Sequence, residues 1–212
     1  MPAQIKICGI TNLPDAQLSI EGGADLLGFN FYPPSPRYID PPAAAQIIAD
    51  LPDNIKTVGV FVNAGAEGLQ KVLSQCPLMM VQLHGAENNQ QCRQAAELGV
   101  EVIKALRVRR PEDLSQMDAY QGQTFLLDAF DEKLYGGSGR RFDWNWIQQT
   151  RHQKIFLAGG ITPENVNEAL AVRTYGIDLG SGVEKSPGIK SPDKMKKLFE
   201  EIARFRSSRL DG

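Results

Sequence analysis

The sequence alternates short apolar runs with longer segments of helical periodicity, and this alternation restricts the fold more than any other feature. The apolar runs span residues 5–8, 26–29, 57–62, 79–83, 100–106, 124–128, 154–158 and 176–179. Short, mostly apolar runs are typical of strands that are covered on both faces. We therefore predict eight buried strands.

Helical segments lie between consecutive strands and after the last one. They span residues 12–21, 41–51, 66–74, 88–98, 111–117, 144–150, 163–171 and 192–206. The last segment is the clearest, because apolar residues recur along it with the helical period, from Met195 through Ile202 to Phe205. Each predicted strand is thus followed by a predicted helix.

Eight strand–helix units in sequence favour a closed (β/α)8 barrel, the TIM barrel, with eight parallel strands. The 212 residues give about 26 residues per unit, which is compact for this fold. An open, doubly wound sheet shares the alternation and is the alternative, but no Gly-x-Gly-x-x-Gly motif follows the first strand. No linker rich in Pro, Gly or Ser is long enough to divide the chain, so we predict one α/β domain over residues 1–212.

The composition excludes several classes of protein. Lys and Arg number 23 against 25 Asp and Glu, and the net charge of −2 argues against a nucleic-acid binder. Three cysteines without a CxxC pair and two histidines are too few for a disulfide framework or a zinc site. The N-terminus lacks the features of a leader, and no run approaches the roughly 18 apolar residues of a membrane span. We expect a cytoplasmic protein without a metal and without nucleic-acid or membrane partners.

Polar residues at the C-terminal ends of the strands are the candidates for catalysis, because barrels of this class carry their active sites there. Cys8 ends the first predicted strand, and Lys6 shares its face because side chains alternate along a strand. If that face is the barrel interior, the cation lies below the thiol and lowers its pKa. The alternative for Cys8 is a small buried hydrophobe. Cys76 and Cys92 fall in helical segments and are expected to be structural.

Asp128 ends the sixth predicted strand, directly after an apolar run. Burial of this kind raises the pKa of a carboxyl group and suits a general acid. The alternative is an aspartate that caps a loop or pairs with Arg140 or Arg141. Strand-end placement favours the catalytic interpretation.

Anion-binding candidates follow the second, seventh and eighth strands. The proline-rich loop of residues 32–38 holds Arg37, which could clamp a carboxylate through a forked contact or could be a solvated loop residue. Two glycine-rich strand ends could bind a phosphate through bare backbone amides. Their residues are Gly159, Gly160, Gly180, Ser181 and Gly182.

His84 and Asp178, in the fourth and eighth strand regions, are further candidates for substrate binding. His84 could line the pocket or satisfy a hydrogen bond in the core. The loop of residues 136–144 contains three glycines, and Phe142 and Trp144 could anchor its far end. It could be a mobile cover over the site or an ordinary surface loop.

Together these segments resemble one family, the phosphoribosylanthranilate isomerases of tryptophan biosynthesis. The resemblance runs from residue 5 to about residue 193, and its motifs follow the family's order. They are Lys6-Ile7-Cys8-Gly9-Ile10-Thr11, Ser35-Pro36-Arg37, Val81-Gln82-Leu83-His84-Gly85, Leu126-Leu127-Asp128, Gly137-Ser138-Gly139, Phe142-Asp143-Trp144, Leu157-Ala158-Gly159-Gly160-Ile161, Glu164-Asn165-Val166, Ser181-Gly182-Val183-Glu184 and Ser186-Pro187-Gly188. The ordered set is far more specific than any one motif.

The resemblance implies a single (β/α)8 isomerase that uses neither cofactor nor metal. The implied reaction is an Amadori rearrangement of N-(5-phosphoribosyl)anthranilate to the carboxyphenylamino-deoxyribulose phosphate. The family's general base falls on Cys8, its general acid on Asp128 and its carboxylate-binding arginine on Arg37. Its phosphate loops fall on Gly159, Gly160, Ser181 and Gly182.

The sequence departs from the family at a few positions. Gly180 stands where the family usually has a small hydroxyl residue, which puts one phosphate contact in question. Ser138 replaces a common threonine and keeps the hydroxyl. The residues after Arg206 match nothing in the family, and we expect a frayed tail there.

Two other functions are alternatives to the isomerase. Another phosphosugar barrel, such as an epimerase or aldolase, would need metal-binding histidines or a Schiff-base lysine, and Lys104, which we take as the interior lysine nearest the mouth, stops short of it. A non-catalytic phosphosugar-binding barrel would not need an acid and a base at strand ends. The sequence leaves monomer and homodimer open.

Overall fold

The computed structural model describes residues 2–120, 122–129 and 141–208. All eight predicted strands are present, with shifts of one or two residues at their ends. They are β1 (Gln4–Cys8), β2 (Leu26–Asn30), β3 (Lys56–Phe61), β4 (Met80–Leu83), β5 (Glu101–Val108), β6 (Thr124–Ala129), β7 (Ile155–Leu157) and β8 (Gly176–Leu179).

The strands form a closed parallel barrel in sequence order, because β8 returns to pair with β1. In this closing register Lys6 lies opposite Asp178, and on the other side of β1 Cys8 lies opposite Gly28. The predicted (β/α)8 fold is confirmed, and the open doubly wound alternative is wrong.

Helices connect the strands on the outside of the barrel. They are α1 (Leu13–Gly22), α2 (Pro41–Ala49), α3 (Ala66–Leu73), α4 (Asn89–Ala96), α5 (Val166–Ala171) and α6 (Pro192–Ser207). Asn12 caps α1 by accepting a hydrogen bond from the backbone N–H of Asp15, and Gly23 ends the helix in the left-handed conformation. None of the helices in the described part of the chain is long and apolar enough to cross a membrane.

Several predicted helices differ in kind or length. The segments Pro111–Ala119 and Trp144–Gln149 are 3₁₀ helices rather than α-helices. Helix α5 begins three residues late, because Asn165 accepts a hydrogen bond from the Thr162 N–H and closes a turn before the helix. Helix α6 runs one residue past its predicted end, and residues 209–212 of the expected tail lie outside the described residues.

Two apolar cores lie on either side of the barrel wall. The larger one packs between the strands and the helices. The smaller one fills the barrel interior with Leu26, Val58, Met80, Ile103, Ala105, Leu126, Phe156 and Ala158. Lys104 lies between Ile103 and Ala105, so it faces the helix layer, and our assignment of Lys104 to the interior is wrong. Its Nζ donates to Glu87 Oε2 at 2.8 Å, which removes the one lysine considered for Schiff-base chemistry.

Three short elements after β8 were not predicted. A 3₁₀ turn, Ser181–Val183, leads into an antiparallel hairpin of β9 (Glu184–Ser186) and β10 (Ile189–Lys190). The hairpin rests on the loop after β1, where the Thr11 hydroxyl donates to the Gly188 carbonyl at 2.5 Å. The hairpin therefore lies over the C-terminal end of the barrel.

Candidate active site

A cavity of about 200 Å³ opens at the C-terminal ends of the strands. It is the place where barrels of this class carry their active sites. Every residue that the sequence assigned to the site lines it: Cys8, Arg37, His84, Asp128, Gly159, Gly160, Asp178, Ser181 and Gly182. The structure thus brings the predicted set together, while the role of each residue stays a prediction.

Cys8 ends β1 and is partly exposed to the cavity. The fully buried Lys6 lies below it on the same face of the strand, and its Nζ donates to Asp178 Oδ1 at 2.7 Å. Gly28 on the neighbouring strand makes this arrangement possible. A Cβ at Gly28 would lie 2.8 Å from Cys8 Sγ and 3.2 Å from Lys6 Nζ, so any side chain there would displace the thiol or the ammonium group.

The pKa of the Cys8 thiol is raised above its ordinary value, although Lys6 acts to lower it as expected. Burial is the largest cause, and the negative charge of Asp178 acts in the same direction. The charges of Lys6 and Lys190 favour the thiolate but do not cancel the burial. The pKa of Lys6 itself is raised: burial alone would lower it, but Asp178 and Cys8 outweigh the burial. Cys8 is therefore predominantly a neutral thiol with a cation at hand to stabilise its anion.

Asp128 lies near the end of β6, almost fully buried, and is next to His84 in the cavity wall. Its Oδ1 accepts a hydrogen bond from the Ala129 N–H at 2.9 Å, and its Oδ2 is 3.5 Å from His84 Nε2. In the assigned amide orientation, Gln82 Nε2 donates to His84 Nδ1 at 2.8 Å, so the neutral ring carries its proton on Nε2, towards Asp128. His84 thus lines the pocket and also binds a neighbour in the core.

The proposed ion pair of Asp128 with a loop arginine does not form with Arg141. That side chain pairs with Glu168 at 2.8 Å and lies 4.3 Å from the centre of the Trp144 ring. Arg140 and the glycines of the possible cover, residues 136–139, lie outside the described residues. Phe142 and Trp144 are both buried at the far end of that loop.

Arg37 is largely buried rather than solvated, with 15 % of its side chain exposed. Its Nε and Nη2 donate to the carboxylate of Glu184, at 3.0 and 2.7 Å for the shorter contacts. The loop before it is held by Ser35, whose hydroxyl accepts hydrogen bonds from the Asn30 amide and from the Arg37 N–H. One edge of the guanidinium is therefore already occupied by a protein carboxylate.

The glycine-rich ends of β7 and β8 approach each other closely. Gly159 and Gly160 both have positive φ, 87° and 65°, which favours glycine. A Cβ at Gly159 would lie 2.8 Å from the Ala129 nitrogen, and one at Gly182 would collide with the Ile161 carbonyl. Only backbone fits here, as a wall that binds an anion through amides requires.

Sequence reasoning missed the charged residues behind Arg37. Glu184 belongs to one of the family motifs, but the sequence predicts a role in the site for neither Glu184 nor Lys190. The Ser186-Pro187-Gly188 turn was the available signal, since such a turn between short segments predicts a hairpin. Within the described ranges, no group of three or more His, Cys, Asp or Glu side chains could hold a metal ion.

The fold and the cavity define a class, a (β/α)8 barrel whose mouth combines a thiol, a carboxyl group, an arginine and an amide-lined wall. Residues 5–201 match the family model described as N-(5'-phosphoribosyl)anthranilate (PRA) isomerase. The N-(5'-phosphoribosyl)anthranilate isomerase of Citrifermentans bemidjiense is 46% identical over 95% of this chain and 98% of its own. This chain belongs to the N-(5'-phosphoribosyl)anthranilate isomerase family.

Solved structures of the family superpose closely on this chain. One is of monomers generated from the dimeric phosphoribosylanthranilate isomerase of Thermotoga maritima, with a TM-score of 0.86 and 40% identity over 95% of this chain and 99% of that one. Another phosphoribosylanthranilate isomerase was solved in complex with reduced 1-(o-carboxyphenylamino)-1-deoxyribulose 5-phosphate. Its TM-score is 0.83 and its identity 40%, over 95% of this chain and 99% of that one.

Proposed function

We propose that this protein converts N-(5'-phosphoribosyl)anthranilate into 1-(2-carboxyphenylamino)-1-deoxyribulose 5-phosphate, as an enzyme of tryptophan biosynthesis in the cytoplasm. The observation that carries the proposal is one cavity whose wall contains Cys8, Asp128, Arg37 and both glycine loops. A relative with this fold holds the reduced form of that product. The reaction moves hydrogen within one substrate, so it needs no redox partner.

Asp128 acts first, as the general acid. The closed ribose ring opens when the ring oxygen takes a proton and its bond to C1 breaks, and the anthranilate nitrogen lone pair forms the C1 iminium. Asp128 supplies the proton from its buried position, and the N–H of His84 steadies the carboxylate that remains.

Cys8 acts second, as the general base. Its thiolate removes the proton from C2, and the electron pair of that C–H bond forms the C1–C2 double bond of the enolamine and neutralises the iminium. Lys6 stabilises the thiolate before this transfer. Protonation at C1 and loss of the C2 hydroxyl proton then give the ketose. An acid and a base with separated pKa values are sufficient for the whole sequence.

The two anionic ends of the substrate fix the sugar between these groups. The anthranilate carboxylate meets Arg37 through the edge that Glu184 leaves open, formed by Nη1 and Nη2. The phosphate meets the backbone of Gly159, Gly160, Ser181 and Gly182, and Gly180 offers no hydroxyl. Asp178 lines the same cavity, and its carboxylate accepts a hydrogen bond from a sugar hydroxyl.

The test is turnover of phosphoribosylanthranilate, followed by loss of anthranilate-type fluorescence. Cys8→Ala and Asp128→Asn should each lower kcat by about 10²–10⁴-fold and still bind the product. The matched control is Cys76→Ala, since Cys76 is buried and outside the cavity. Full activity in either variant would remove the acid–base assignment. Failure to restore growth of a tryptophan auxotroph lacking this step would remove the function.

The proposal includes assembly as a monomer or a homodimer, with no nucleic-acid or membrane partner. The Thermotoga maritima relative is described as dimeric and was also solved as monomers. Sedimentation equilibrium over a range of concentrations distinguishes the two states, and a larger assembly would contradict both.

A further inference from the structure

Glu184 lies behind Arg37, away from the reacting groups, at the start of β9. It is 6% exposed, and its carboxylate accepts hydrogen bonds from Arg37, from Lys190 and from the Gly188 N–H. Arg37 donates to both carboxylate oxygens, and Lys190 Nζ donates to Oε1 at 3.1 Å. Burial alone would raise the pKa of Glu184, but the hydrogen bonds from Arg37 and the charge of Lys190 hold it below its ordinary value.

The path of the Arg37 side chain allows little freedom. Gly9 lies directly under it, in a left-handed conformation with φ of 79°. A Cβ at Gly9 would come within 2.8 Å of Arg37 Cδ. The stem is thus fixed against the loop after β1, and the Glu184 carboxylate fixes the plane of the guanidinium through its Nε and Nη2 edge.

Lys190 connects this pair to the strand that carries Cys8. Its ammonium group is buried between Glu184 and the end of β1, and it donates to the Cys8 carbonyl at 2.5 Å. The hairpin that holds both charged residues also rests on Thr11 through the Gly188 carbonyl. A chain of buried contacts therefore runs from the Cys8 backbone through Lys190 and Glu184 to Arg37.

We infer that Glu184 is a positioning residue, which orients Arg37 towards the substrate carboxylate and, through Lys190, keeps that contact in register with Cys8. The inference rests on the proposed function and deepens it. Glu184 does not touch the substrate. It acts by leaving only the Nη1 and Nη2 edge of Arg37 open and by holding that edge at a fixed place in the cavity wall.

The first variant is Glu184→Gln, which keeps the shape of the side chain and removes its charge. We expect product affinity, read by anthranilate fluorescence, to fall about tenfold because charge-assisted hydrogen bonds orient the arginine. KM should rise by the same factor, with kcat within about threefold and inhibition by inorganic phosphate unchanged. The matched control is Glu87→Gln, the same change at another buried, ion-paired glutamate that does not line the cavity.

The second test asks whether Glu184 acts through Arg37. In an Arg37→Ala background, Glu184→Gln should have little further effect on product affinity. An equal loss in both backgrounds, or an equal loss of phosphate inhibition, would overturn the inference. If thermal unfolding shows that Glu184→Gln does not fold, the variant to use is Glu184→Asp, which keeps the negative charge on a side chain shorter by one methylene group. Glu184→Asp should raise KM and retain kcat. An unchanged KM would also overturn the inference.

A crystal structure of the folded variant separates this inference from the proposed function. If the unaltered protein does not turn over phosphoribosylanthranilate, the proposed function is wrong, but the positioning role of Glu184 is still open to test. In either case, the positioning role is supported if the Arg37 guanidinium of Glu184→Gln lies in a different position from that in the unaltered protein. An Arg37 side chain that is unchanged in the variant contradicts it.

Discussion

Two buried ion pairs lie on different sides of the barrel mouth and are built alike. On one side, Lys190 Nζ binds Glu184 and the Cys8 carbonyl. On the other, Lys104 Nζ binds Glu87 at 2.8 Å and the carbonyls of Leu83 and Gly85 at 3.1 and 2.8 Å. In both, a glutamate and a lysine neutralise each other in the protein interior, and the lysine binds a backbone carbonyl at the end of a barrel strand.

The two clusters differ in their third partner. Besides Lys104, the carboxylate of Glu87 binds backbone: it accepts hydrogen bonds from the N–H groups of Asn63 and Gly85. Glu184 also accepts one backbone N–H, from Gly188, but in addition it binds Arg37, whose side chain lines the cavity. The same arrangement therefore shapes loops on one side and presents a cation to a ligand on the other. A buried ion pair becomes functional through the partner it orients, and burial alone does not distinguish the two.

Removing the charge of Glu87 should give the largest effect on stability. Both members of its pair are 1% exposed, so Glu87→Gln leaves Lys104 as an uncompensated buried cation. We expect the free energy of unfolding to fall by about 3 kcal/mol, while kcat and KM of the folded protein stay within about twofold. Urea unfolding and steady-state kinetics measure the two quantities.

The double variant Glu87→Gln with Lys104→Met supplies the control, because it removes the uncompensated cation and keeps an acceptor oxygen for the backbone, so it should recover part of the lost stability. A tenfold loss of activity in folded Glu87→Gln would break the comparison. It would show that the loops after β3 and β4 also affect the geometry of the cavity.

Removing Lys6 should give the next largest effect, on chemistry rather than on stability. Lys6→Met takes away the cation that favours the Cys8 thiolate and leaves the Asp178 carboxylate unpaired beside it. The already raised pKa of Cys8 rises further, so fewer molecules hold the base form at neutral pH. We expect kcat to fall about 30-fold and its rise with pH to move to more alkaline pH.

The opposite change is Asp178→Asn, which removes the anion and should lower the pKa of Cys8. Alkylation of Cys8 by iodoacetamide as a function of pH follows both shifts without any substrate. Cys76 and Cys92 are the internal slow references, because burial raises the pKa of each to about 11. Shifts of the same sign in Lys6→Met and Asp178→Asn would show that these charges do not set the thiol pKa.

The barrel and the residues at its mouth could be predicted because they follow from order along the chain. Eight apolar runs define the strands, and the residue that ends each run lies at the C-terminal edge of a parallel barrel. Cys8, His84 and Asp128 were found in this way. The face of Lys104 was not, because both faces of a barrel strand are buried and apolar, so the pattern does not distinguish inside from outside.

The charges that surround the site could not be predicted, because they meet only in the folded chain. Glu184 binds Arg37 across 147 positions of sequence, and Lys6 binds Asp178 across 172. The pKa of Cys8 depends on these encounters and on burial together, so the local neighbour Lys6 alone gave the wrong direction. Local sequence gives the position of a group in the fold more readily than its charge environment.

The smallest effect is expected for an ion pair that resembles the two clusters only in distance. Lys197 Nζ lies 2.9 Å from Glu164 Oε1, but the side chains are 54% and 65% exposed. The hydrogen bond from Lys197 is the largest cause that lowers the pKa of Glu164 to about 2. Water screens such a pair, so Lys197→Met should reduce the free energy of unfolding by about 0.5 kcal/mol or less at pH 7.

The pH dependence of this difference has a definite sign. The folded pKa of Glu164 is below its ordinary value of 4.5, so the contribution of the pair is present above that pH and disappears as the pH falls towards 2. Urea unfolding of both proteins between these limits measures it. A loss of more than about 1 kcal/mol at pH 7 would exceed what exposed pairs provide. The distance within an ion pair would then predict its contribution to stability whether or not the pair is buried. The contrast between the buried pair of Glu87 and the exposed pair of Glu164 would then be wrong.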